Sequence, residues 1–135
     1  MALIQWDESF SVHVQEIDNQ HKALIKMIND YYDAVLRKEL REGLAQLLQS
    51  LETYTIRHFE TEERYFDRYG YEDAAEHKKR HATLRRQVRE FRERVNGEKI
   101  VLPFEIGKFM TDWLTNHIKK DDRRYSRCFN EHGLR

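Results

Sequence analysis

The sequence predicts an all-α protein, an antiparallel up-down-up-down four-helix bundle with an N-terminal arm. Three observations predict it. One Pro and five Gly in 135 residues are too few for the many turns of a sandwich or barrel. The breakers Gly43, Gly70, Gly97 and Pro103 divide the chain into long stretches, and within each stretch apolar residues recur at helical spacing. Four such stripes joined by mostly short connections pack best as an up-down bundle, because a three-helix arrangement leaves one stripe in water.

The elements follow in order. Residues 1–17 read as an irregular arm whose Leu3, Ile4, Trp6 and Phe10 pack on the body. The first helix is expected over about 18–38, with Asp18 as its N-cap and Ile17, His21, Leu24, Ile28, Tyr32 and Val35 on one face. Arg37 and Lys38 suit its C-terminal end. The second runs over about 41–69. Its stripe is Leu44, Leu47, Leu48, Leu51, Tyr54, His58, Glu62 and Phe66, and Gly70 is its stop. The third, about 72–95, carries His77, His81, Leu84, Val88, Phe91 and Val95. Pro103 opens the fourth, about 103–128, with Ile106, Met110, Trp113, His117 and Ile118 inward. Gly107 inside it marks either a mild penalty or a close helix contact. The whole chain, 1–135, reads as one domain.

Composition narrows the function. Lys plus Arg and Asp plus Glu both number 24, so the net charge is zero, which argues against nucleic acid or an acidic membrane surface as partner. The Lys/Arg-rich stretch 78–94 is interleaved with Glu90 and Glu93 and reads as a solvated face. Mean hydropathy is −0.91, and no segment approaches the roughly 18 apolar residues of a membrane span. With no secretory leader and one unpairable cysteine, Cys128, the expected location is cytoplasmic.

Five of the seven His, His21, His58, His77, His81 and His117, lie on the apolar stripes. Counted from the opposite end of an antiparallel bundle, all five fall in a layer about 21–27 Å along, at about 1.5 Å per residue. Five buried imidazoles without partners are costly, and protonated they repel. Metal coordination removes both problems. His77 and His81 share a face at i, i+4, as do His58 and Glu62. The second carboxylate is open on spacing: Asp121 is i+4 from His117 and better placed in a regular helix, whereas Asp122 at i+5 needs a local distortion. Five His exceed a closed tetrahedral zinc site. With two bridging carboxylates and one bridging oxide or hydroxide they fill eleven of the twelve positions of two six-coordinate metals. One position stays open for a small ligand.

At this point the sequence resembles the bacterial hemerythrins. The resemblance rests on Trp6-Asp7, Ser11-Val12 and Ile17-Asp18-Asn19-Gln20-His21-Lys22; on His58-Phe59-Glu60-Thr61-Glu62-Glu63; on His77-Lys78-Lys79-Arg80-His81; and on Trp113-Leu114-Thr115-Asn116-His117-Ile118 followed by Asp122 and Tyr125. Each motif is short, but their order and spacing are specific and span nearly the whole chain. The resemblance implies a non-haem pair of iron ions, bridged by oxide or hydroxide, that binds O2 reversibly. It implies His77, His81 and His117 on one iron, His21 and His58 on the other, and Glu62 and Asp122 across both, so it chooses Asp122 over Asp121. The iron with two His then holds the open position. Leu24, Phe59, Trp113, Leu114 and Ile118 lie within a turn of these residues and would form an apolar O2 pocket.

The resulting expectation is O2 carriage, storage or delivery rather than an enzyme, with O2 as partner and any O2-consuming partner enzyme unidentified. Two alternatives share the site: turnover of peroxide or nitric oxide, and an O2 or redox sensor acting through a separate partner. Ferritin-like di-iron sites are richer in Glu, which disfavours the first. His13 stands in the arm where relatives commonly have Gly and reads as a surface residue, as does His132; Cys128 reads as inert.

Overall fold

The computed structural model describes residues 4–135 and is helical throughout, with α1 at Gln15–Leu36, α2 at Leu40–Tyr69, α3 at Ala74–Asn96 and α4 beginning at Pro103–Asp112. Leu3 of the arm lies outside the described residues. Short connections run each helix back along the previous one, and no described helix is long and apolar enough to cross a membrane.

The first helix begins earlier than the sequence suggests, and Asp18 is not its N-cap. Val14 occupies that position with no side-chain cap, and the Asp18 carboxylate instead accepts from the Val12 N–H at 2.8 Å and the Ser11 hydroxyl at 2.7 Å. The carboxylate is used to hold the arm against the first turn, which shortens the predicted arm of 1–17. Trp6 and Ile4 pack on the core, and Asn29 bonds both the N–H and the C=O of Ile4 at 2.9 Å. His13 is exposed at φ 58°, a left-handed conformation that favours glycine. Its carbonyl accepts from Asn130, so the turn ties the arm to the far end of the chain.

Two predicted stops and contacts have clear physical causes. Gly70 ends α2 in the left-handed region at φ 62°. Gly107 is the close contact: a Cβ there would stand 3.2 Å from the Tyr32 hydroxyl. At Gly43 the approach is tighter, since a Cβ would meet that of Ala34 at 2.6 Å, so α1 and α2 cross where neither offers bulk. The third helix starts two residues later than predicted, at Ala74.

The fourth helix is not the single regular element expected over 103–128. Its α-helical part stops at Asp112; Trp113–Asp121 is π-helical, Asp122–Tyr125 is a 3₁₀ turn, and α5 covers Ser126–Glu131. The Asp122 N–H bonds the His117 carbonyl, five residues back. One extra residue per turn rotates everything after His117 relative to a regular helix.

The core divides in two. One apolar cluster includes Leu24, Ile28, Leu48, Leu51, Tyr54, Phe59, Trp113, Leu114 and Ile118. The other gathers Val12, Val14, Ile17, Phe66, Tyr71, Tyr125 and Phe129 around the arm and α5. The polar layer of five His lies between them.

Candidate metal centre

All seven residues read as ligands are buried, and none is more than 3% exposed. They form two overlapping sets. Glu62, His77, His81, His117 and Asp122 present donor atoms within 4.8 Å of one another, and so do His21, His58, Glu62 and Asp122. The two carboxylates belong to both sets. One Asp122 oxygen stands 3.0 Å from His21 Nε2, while the other is 2.8 Å from His77 Nε2 and 3.2 Å from His117 Nε2. Glu62 Oε1 is 2.8 Å from His58 Nε2 and 3.4 Å from His81 Nε2.

The π turn explains why Asp122 and not Asp121 faces inward. With i+5 closure, His117 and Asp122 share the face that looks at α1 and α3. Asp121 stands outside, 3.1 Å from Arg80 and 3.5 Å from the outer nitrogen of His117.

These contacts are close, yet they are not hydrogen bonds. The Nε2 atoms of all five His and both oxygens of Glu62 and Asp122 are buried without a hydrogen-bond partner. Their lone pairs converge on points between the side chains. At metal–nitrogen bonds of about 2.1 Å, adjacent corners of an octahedron lie about 3.0 Å apart. The separations of 2.8–3.4 Å match such corners, so the donor set fits cations.

The outer nitrogens orient the rings. Thr61 donates its hydroxyl proton to the Arg57 carbonyl at 2.9 Å and accepts from the Gln20 amide at 3.2 Å. That turns Gln20 Oε1 toward His58, whose Nδ1 donates to it and leaves Nε2 bare. His81 makes the equivalent bond to Glu63 at 2.8 Å. Gln20 and Glu63 were not singled out by spacing; their signal is that each adjoins an expected ligand, His21 or Glu62, within a segment that carries the resemblance.

Electrostatics separate the two imidazoles. Burial pushes the His58 pKa down, and Glu62 offsets only part of that. Burial also opposes charge on His81, but the adjacent carboxylates of Glu62 and Glu63 outweigh it and raise its pKa to about 9. Burial opposes charge on Glu62 as well, yet His58 and His81 hold it well below the usual carboxylate range. Asp122, against both burial and the neighbouring Glu62, is held at about 2 by His117, His21 and His77.

Leu24, Phe59, Trp113, Leu114 and Ile118 are all buried beside the layer. Phe59 stacks flat on His81, ring centres 3.8 Å apart. On the α1/α2 side a cleft of about 700 Å³ reaches Gln20, Tyr54 and His58. His132 is exposed, and Cys128 is half-buried with its thiol pKa pushed up by burial.

Fold and site together define a four-helix bundle with a buried His/carboxylate layer built for cations. Residues 12–128 match the hemerythrin HHE cation binding domain. A bacteriohemerythrin of Pseudomonas aeruginosa is 37% identical over 125 residues, covering 93% of this chain and 80% of that protein. The myohemerythrin of Theromyzon tessulatum is 36% identical over 121 residues, covering 90% and 89%. The crystal structure of wild-type hemerythrin superposes with a TM-score of 0.79 at 30% identity, over 94% of this chain and 98% of that one. The chain belongs to the hemerythrin family.

Proposed function

We propose that this protein binds O2 reversibly at a pair of iron ions, for carriage, storage or delivery. One observation carries the reading: five donors converge on one side and four on the other, with two carboxylates common to both. His77, His81 and His117 would hold one ion, His21 and His58 the other, and Glu62 and Asp122 would join them. One bridging oxide or hydroxide would then saturate the three-His side and leave one position free on the two-His side. An iron pair bound there supplies the two electrons that reversible O2 uptake requires.

The side chains do the rest. Gln20 and Glu63 fix the ring orientation of His58 and His81, so their Nε2 lone pairs face inward. Leu24, Phe59, Trp113, Leu114 and Ile118, all buried, would keep water, and the protons it delivers, from the free position. The relatives named above are hemerythrins, which supports a binding role over turnover.

The test is the visible spectrum of iron-loaded protein, reduced under anaerobic conditions, then with O2, then with O2 removed. The expected result is a colourless form that gains charge-transfer bands with O2 and loses them on deoxygenation. Direct, irreversible conversion to the oxidised state would overturn carriage, and turnover of peroxide or nitric oxide well above that of free iron would replace it with an enzymatic role.

A further inference from the structure

Tyr54 lies one helical turn before His58. Antiparallel packing sets that turn level with Leu24, one turn after His21, and with Leu114, one turn before His117; all three belong to the same apolar cluster. The Tyr54 ring stacks on His58, with centres 5.0 Å apart and planes at 17°. Its outer side faces the α1/α2 cleft. Its hydroxyl does not reach that cleft, because the oxygen is buried and has no hydrogen-bond partner.

A buried hydroxyl with nothing to bond is costly. Removing the group or pairing it are the two remedies, and no described residue pairs it: the hydroxyl is buried within the apolar cluster without a hydrogen-bond partner. The ring lies against His58 and its oxygen is buried without a partner, so a free hydroxyl stands beside the two-His half of the layer. Among the described residues two other buried tyrosine hydroxyls lack partners, and each is placed differently. Tyr31 is about 15 Å along α1 from His21, at about 1.5 Å per residue. Tyr125 lies in the opposite cluster, against Phe66 and His77, on the side with five donors.

We propose that the Tyr54 hydroxyl is the hydrogen-bond donor to the small acceptor ligand taken up beside His21 and His58. This rests on the reading of the site as an iron pair with its free position on the two-His side. The class of ligand it favours is a small anion or dipolar molecule with an acceptor atom beyond the one that meets the metal. In an otherwise apolar pocket, one such donor selects for acceptors and slows their escape.

The experiment compares the parent with Tyr54→Phe, using azide as the probe on the oxidised, iron-loaded proteins. Azide affinity is read from visible absorption, iron content is measured, and thermal unfolding is recorded for the metal-free forms. The expected result is azide binding weakened by about 5–10-fold, the size of one hydrogen bond, at unchanged iron content. The metal-free Tyr54→Phe protein should melt no lower than the parent, because the lost hydroxyl had no partner. Azide affinity within about twofold of the parent overturns the inference, as does loss of iron in Tyr54→Phe, which would make the hydroxyl a support of the centre. A parent that holds two irons but never binds azide overturns the underlying reading of an open position instead.

Discussion

His58 and His81 approach the same carboxylate, Glu62, from opposite sides, but what stands behind them differs. Behind His58 is a neutral amide, Gln20; behind His81 is a carboxylate, Glu63. The consequence is visible in their protonation. The His58 pKa is pushed down by burial, whereas that of His81 is raised to about 9 against burial by its two carboxylates. The difference extends to the whole layer: the His81 side gathers five donors and the His58 side four. A charged outer partner makes an imidazole a stronger ligand, and a neutral one leaves it weaker. With an iron pair bound as proposed, the five-donor half would be closed and electron-rich and the four-donor half open, which would suit exchange of a ligand on one side only.

The largest effect should come from removing a ligand on either side. His58→Ala and His117→Ala are both expected to lose the iron pair, measured as iron per chain, and two irons retained in either would break the assignment on that side. Next is the pair of neighbouring aspartates. Asp122→Ala should lower iron content sharply while Asp121→Ala keeps the pair, since only Asp122 touches His21, His77 and His117 together. Equal iron content and spectra in the two would remove the distinction. Glu63→Gln should then weaken metal binding by about 10-fold or more, read by chelator competition. Parental affinity there would show that charge behind His81 is not what closes that half.

The smallest effect is on the metal-free protein as pH changes. His81, with its folded pKa raised from 6.5 to about 9, adds stability that is complete below 6.5 and is lost as pH rises through about 9. His58, with its pKa lowered, works the other way, costing stability in acid that is regained as pH rises to 6.5. Asp122, lowered from 3.8 to about 2, adds stability above 3.8 that is lost as pH falls through about 2. The melting temperature should therefore peak near pH 6.5 and decline toward 9, and Glu63→Gln should flatten that decline. A decline of parental size in Glu63→Gln would contradict the role given to Glu63.

The helices and the height of the five histidines were legible in the sequence because both depend on short-range periodicity. A stripe at helical spacing defines a face, and rise per residue converts position into height. The motifs carrying the family resemblance were equally local, and they chose Asp122 where regular helical spacing favoured Asp121. What tertiary structure decided depends on atoms from different helices. The π turn that brings Asp122 inward ends where that side chain meets His21 of α1 and His77 of α3, contacts no single-helix pattern contains. Asp18 resembles a helix cap until the arm folds back to use it. Gln20 and Glu63 become partners of His58 and His81 only once α1 meets α2 and α2 meets α3. Tyr54 reads as one more apolar residue on a stripe, and its lone hydroxyl gains meaning only when the other helices bury it and supply nothing for it to bond.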